Sequence, residues 1–179
     1  MVANNKISYN KKLKLKARKI KLLLTDNDGV LTDTGVYYSE KGEEFKKYSI
    51  RDGMGVERLR DLVNIKTGII TGEVSGPVRS RAKKLKIEEV HLGIKEKDKI
   101  FNEILKNNNL LPENVAFIGD DVNDLKLMKL VGLSAAPANA IDEIKGIADY
   151  ICRNNGGNGA FREFAELIIH HNLKSKRSK

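Results

Sequence analysis

The chain has 179 residues, 40% apolar and 32% charged, with a single cysteine and a formal charge of +9. That suffices for one sizeable hydrophobic core and not for two, and no apolar run nears the roughly 18–20 residues of a membrane span. The positive excess sits at the ends: Met1–Lys21 carries eight Lys or Arg and no acid, and Lys174–Lys179 four more, so the segment between is slightly acidic.

Terminal charge runs of this kind read as solvated flanks rather than a nucleic-acid surface. Met1–Lys21 lacks the apolar stretch of a secretory leader, and the lone Cys152 can form no internal disulfide, which fits a reducing cytoplasm. Residues 1–19 are therefore expected to be a basic flank, 20–171 one domain and 172–179 a basic tail. Ile20–Thr25 is a nearly continuous apolar run, as for a buried parallel strand. In Tyr37–Tyr48, aromatic residues flank a Glu-Lys-Gly turn, which predicts a projecting β-hairpin over about 34–48. Val56, Leu59 and Val63 share a helical face before a strand at Ile65–Thr71. Ser75–Leu85 reads as a basic helix with Pro77 in its first turn.

A short strand follows at Glu89–Leu92, then a helix marked by Ile100, Phe101, Ile104 and Leu105. Val115–Ile118 is a strand ending in Gly119-Asp120-Asp121, with Leu125 and Met128 on a short helix behind it. Strands at Leu133–Ala136 and Tyr150–Cys152 bracket a helix bearing Ile141, Ile144 and Ile147. Beyond Gly156-Gly157-Asn158-Gly159, the residues Phe161, Phe164, Ala165 and Ile168 mark a closing helix, expected to end near His170 and His171. Strands alternating with helices across short connections predict an α/β domain: a doubly wound parallel sheet, helices on both faces.

In such sheets ligands bind at the carboxyl ends of the strands. There the sequence places Asp26-Asn27-Asp28-Gly29, Thr71-Gly72-Glu73 and Gly119-Asp120-Asp121 with Asp124 behind; Lys95, Lys97 and Lys99 precede a helix. Carboxylates converging on one edge repel unless a cation lies among them, and an all-oxygen set suits Mg²⁺. Asp26 could then attack phosphorus. Asp28 could protonate the leaving alkoxide and later activate water, while Thr71 and Lys97 hold the nonbridging oxygens. A calcium loop is excluded, because its twelfth position counted from Asp26 is Tyr37. No Walker phosphate loop occurs either.

These four segments resemble the motifs of the haloacid dehalogenase superfamily. The hairpin, Arg51-Asp52-Gly53, Arg81-Ala82-x-x-Leu85 and Gly156–Glu163 resemble its 3-deoxy-D-manno-octulosonate 8-phosphate (KDO 8-phosphate) phosphatases, over roughly Ile20 to His170. The resemblance implies a capless fold with Asp26 as nucleophile and Asp28 as acid/base. It implies Mg²⁺ held by Asp26, Asp120 and the Asp28 carbonyl, with Asp121 or Asp124 in support. It also implies phosphate contacts from Thr71 and Lys97 and a sugar-acid pocket drawn from Arg51, Asp52, Gly53, Gly72, Glu73, Arg81, Lys84, Asn123 and Asp28. Members form homotetramers through the hairpin, and the glycine-rich segment approaches a neighbouring site. One position departs from the pattern: Glu73 stands where these phosphatases usually have arginine. Glu73 with Arg81 and Lys84 resembles phosphatases of N-acylneuraminate or KDN 9-phosphate, so both sugar acids stay open, the eight-carbon one ahead.

Two other classes fit less well. A receiver domain needs an aspartate ending its third strand, where this chain has His91-Leu92-Gly93. A non-catalytic oligomerisation module beside a sugar-acid cytidylyltransferase would be expected to lack Asp26 or Asp28, and both are present. The basic helix of Arg79, Arg81, Lys83, Lys84 and Lys86 carries no aromatic for base stacking, so nucleic acid is not expected. Neither is a membrane.

Overall fold

The computed structural model describes residues 11–176. Among these residues eight strands and seven α-helices follow in chain order, with two single-turn 3-10 helices between them. They are α1 (Lys11–Lys19), β1 (Leu22–Thr25), β2 (Thr32–Ser39), β3 (Gly42–Tyr48), α2 (Ile50–Val63), β4 (Lys66–Ile70), α3 (Gly76–Leu85) and β5 (Glu89–His91). Then come α4 (Lys97–Asn108), β6 (Val115–Ile118), α5 (Leu125–Leu130), β7 (Leu133–Ala136), α6 (Asp142–Ile147), β8 (Tyr150–Ile151) and α7 (Ala160–Lys176). Six strands form one parallel sheet in the order β5-β4-β1-β6-β7-β8. β2 and β3 pair only with each other, antiparallel.

β1 is buried along its whole length, because apolar side chains leave it in both directions. Leu23 enters a core with residues of α2, α3 and α7, and Leu22 and Leu24 enter one with residues of α4, α5 and α6. Each face of the sheet is thus covered by helices, as βαβ connections require. Ser75 caps α3 by accepting from the Val78 N–H at 3.3 Å, and α3 ends on Lys86 in a left-handed conformation.

Two expectations about the ends need correction. Lys11–Lys19, read as a solvated flank, is a helix whose Ala17 is fully buried in the core and whose Ala17 carbonyl accepts from Asn172. Leu13 packs against the same core, and Lys16 and Lys19 pair with Asp149 and Glu113, so the helix is seated by a few contacts that lysine-rich composition hides. His170 and His171 do not end the closing helix, which runs on to Lys176. Cys152 is a core residue, as expected. No helix among the described residues is long and apolar enough to cross a membrane.

Candidate active site

β1 lies at the middle of the sheet between β4 and β6, and its exit carries Asp26. The Asp26 N–H bonds the Ile118 carbonyl of β6 at 3.0 Å, which sets the end of β1 level with the end of β6. Asp26 is buried, and its Oδ1 accepts both the Asn27 N–H at 2.7 Å and the Lys97 ammonium at 2.8 Å. Among the described residues no such bond falls on Oδ2.

From the exit of β6, Asp120 and Asp124 join it: Asp26, Asp120 and Asp124 each place an oxygen within 4.8 Å of the others. Asp124 accepts from Lys97 at 2.6 Å through Oδ1 and from the Asp120 N–H at 2.8 Å through Oδ2, so it orients both neighbours. Gly29, in the turn after β1, has φ +89°, and a Cβ there would overlap the Asp120 carboxylate; only glycine allows the two loops to meet.

Lys97, at the start of α4, is fully buried between Asp26 and Asp124. Burial by itself would lower its pKa, but the two carboxylates outweigh that and hold it above its ordinary value. One ammonium does not balance three carboxylates. Burial, followed by the charge on Asp124, lifts Asp26 to about 7; burial, then Asp26 and Asp124, lifts Asp120 to about 8. At an effective dielectric near 20, two unit charges about 5 Å apart repel by roughly 3 kcal/mol. Asp120 Oδ1 is moreover buried without a hydrogen-bond partner. An all-oxygen cluster with excess negative charge and an orphaned carboxylate oxygen fits a hard divalent cation such as Mg²⁺.

Asp28 stands beside this cluster. Its Oδ1 accepts from Lys46 at 2.6 Å, from Asn27 Nδ2 at 3.1 Å and from Thr32 Oγ1 at 3.3 Å, and its Oδ2 is buried without a partner. Thr71, buried just past the end of β4, has its hydroxyl oxygen accepting the Glu73 N–H at 3.2 Å.

The remaining expected residues divide. Arg81 and Lys84, on α3, line a groove of about 490 Å³ against β3 together with Phe45, Lys46 and Tyr48. Arg81 lies over the Tyr48 ring at 5.4 Å and donates to the Ser49 carbonyl at 2.8 Å; a Cβ on Gly53 would press on its guanidinium. Glu73, Arg51 and Asn123 are exposed, and Gly72 is half-buried. Asp52 is buried, and its two oxygens accept the Gly159 and Arg162 N–H groups at 3.1 and 2.9 Å, tying α2 to the start of α7. Asp121 is exposed and turns to the Val122 N–H, outside the group formed by Asp26, Asp120 and Asp124.

The glycine-rich segment packs on the turn after β1 of its own chain: the Gly157 N–H bonds the Val30 carbonyl at 2.8 Å, and Gly156 packs on the Gly29 backbone. Sequence reasoning missed Lys46, Glu43 and the bond from the Tyr48 hydroxyl to Asn27 Oδ1 at 3.1 Å. Glu43 and Lys46 sit in the hairpin segment Glu43-Glu44-Phe45-Lys46-Lys47, and nothing in its sequence marks either as a partner of Asp28.

Residues 77–164 match the haloacid dehalogenase-like hydrolase family. The 3-deoxy-D-manno-octulosonate 8-phosphate phosphatase KdsC of Escherichia coli strain K12 is 40% identical over 154 residues, 86% of this chain and 81% of that protein. The crystal structure of the corresponding phosphatase from Moraxella catarrhalis, in complex with magnesium, phosphate and KDO, is 33% identical with a TM-score of 0.89, over 95% of this chain and 97% of that one. The cobalt-bound Haemophilus influenzae enzyme is 36% identical with a TM-score of 0.86, over 89% of this chain and 93% of that one.

Proposed function

The chain belongs to the 3-deoxy-D-manno-octulosonate 8-phosphate phosphatase family of haloacid dehalogenase-like hydrolases, and we propose that it releases phosphate from KDO 8-phosphate, with Asp26 as nucleophile. The observation that carries the reading is the convergence of Asp26, Asp120 and Asp124 around the buried Lys97, with Asp28 alongside. Identity of 36–40% to phosphatases named for that substrate supports the choice of sugar acid.

Asp26 Oδ2, unoccupied by the hydrogen bonds that fix Oδ1, attacks phosphorus and forms an aspartyl-phosphate. Asp28 gives its proton to the ester oxygen as the O–P bond breaks, then takes a proton from the water that attacks phosphorus and frees Asp26. Thr71 and Lys97 bind nonbridging oxygens. Asp26, Asp120 and the Asp28 carbonyl would hold Mg²⁺, with Asp124 fixing Asp120 and Asp121 further out. When bound, the ion supplies positive charge against the phosphate and the clustered carboxylates. Arg81 and Lys84 in the groove against β3 provide cations for the sugar carboxylate; Arg51, Gly53, Gly72, Glu73 and Asn123 belong to the sugar pocket by the family resemblance alone, and none of them lines that groove. Asp52 would act by holding the start of α7.

Glu73 favours a second reading. A glutamate in the loop that follows β4 accepts hydroxyl or amide hydrogen bonds and repels a carboxylate, which supports the nine-carbon N-acylneuraminate or KDN 9-phosphates as substrates. Phosphate release by the purified protein with Mg²⁺ from KDO 8-phosphate and both nine-carbon esters decides between them, and no release from any overturns both. Tyr37, Tyr38 and Phe45 are exposed on the hairpin, which supports assembly of a homotetramer through it. The lone buried thiol of Cys152 supports a cytoplasmic setting.

A further inference from the structure

The hairpin of β2 and β3 is a separate two-stranded sheet, yet one of its lysines reaches the site. The Lys46 side chain is 1% exposed and lies 2.6 Å from Asp28 Oδ1 and 3.1 Å from Glu43 Oε2. Glu43 in turn accepts from the hydroxyl of Ser75, the residue that caps α3. A continuous polar chain therefore runs from the cap of α3 through the hairpin to Asp28.

Its effect on Asp28 is geometric. The three donors that Asp28 meets, Lys46, Asn27 and Thr32, all fall on Oδ1, which leaves Oδ2 as the oxygen able to carry a proton. Lys46 makes the shortest of the three contacts and is the only charged donor, so it contributes most to holding the carboxyl in that rotation.

We propose that Lys46 is a positioning residue that turns Asp28 Oδ2 toward the ester oxygen and then toward the attacking water. The inference rests on the reading of Asp28 as acid/base. It predicts a defect confined to the steps in which Asp28 moves a proton. Expulsion of p-nitrophenolate needs no proton, whereas expulsion of an alkoxide and attack of water on the aspartyl-phosphate do.

Rapid mixing of p-nitrophenyl phosphate with the K46M protein and Mg²⁺ is expected to give a burst of p-nitrophenol near one per site. The steady rate after it should be slowed about 10- to 100-fold, less than the roughly 10²- to 10⁴-fold that general acid–base catalysis contributes, because Asp28 itself is still present. K46R should recover a large part of that rate, because a cation is restored beside Oδ1. D28N run in parallel tests the underlying reading: without the burst-then-slow pattern in D28N, the acid/base assignment fails and the inference with it. If D28N shows the pattern and K46M keeps the wild-type rate, Lys46 has no such role. Loss of burst and steady rate together in a folded K46M protein makes the contact merely structural and also overturns the inference. Should K46M fail to fold because the Glu43 charge loses its counter-cation, the double variant K46M/E43Q carries the same measurement.

Discussion

The Lys97 ammonium lies 2.6 Å from Asp124 Oδ1 with both side chains out of contact with solvent. Burying such a pair costs desolvation that the attraction only partly offsets, so its use lies in holding Asp124 where that residue can orient Asp120. Lys97→Met should strand two buried carboxylates and destabilise the protein by about 3–5 kcal/mol. Urea unfolding of the variant beside the wild type checks the loss. A change within error would mean that the pair is solvated in solution.

Asp26→Asn removes one of three clustered negative charges and leaves the packing volume unchanged. Its melting temperature should stay level or rise, while phosphatase turnover falls by at least roughly 10³-fold, as for loss of a catalytic nucleophile. Thermal unfolding and phosphate release on the same preparation separate the two effects. Retained turnover would refute the nucleophile.

Gly29→Ala would force a Cβ into the Asp120 carboxylate at a φ of +89°. The turn after β1 must shift, and Asp120 with it. Mg²⁺ binding followed by titration calorimetry should weaken about 10- to 100-fold, the usual effect of disturbing groups that orient metal ligands. Unchanged affinity would show that Asp120 moves aside without cost to the ion.

Acidity should tell on the metal-free protein. Asp26 and Asp120 titrate near 7 and 8 when folded, against an ordinary value of 3.8. Between about pH 4 and 8 the folded chain therefore holds more protons than the unfolded one, so these groups make stability fall as pH rises. Their contribution is largest below pH 4 and is lost by pH 8. Mg²⁺ replaces those protons as counter-charge, so it should raise the melting temperature more at pH 8 than at pH 6, and a chelator should stop turnover reversibly. Equal stabilisation at both pH values would count against the cluster as the ion's site.

Much of the site was legible because its chemistry is written in short segments at the ends of apolar runs. Asp26, Thr71 and Asp120 each lie just past a mostly apolar strand of four or five residues, and strand alternation alone brings such ends to one edge. The hairpin resisted the same reasoning. Phe45 faces outward and its neighbour Lys46 faces inward, the reverse of what hydrophobicity suggests, because two carboxylates wait on the inner side.

The amino-acid order by itself determined the parallel α/β sheet, the sequence of its elements and the acidic residues at its carboxyl edge, since periodicity and turn chemistry are local properties. Tertiary structure alone decided that Lys97 is buried between Asp26 and Asp124, that Asp124 closes the cluster while Asp121 faces outward, and that Lys46 meets Asp28. Those choices depend on which opposite charges lie within a few ångströms once the chain is packed, and separation along the chain carries no record of that distance.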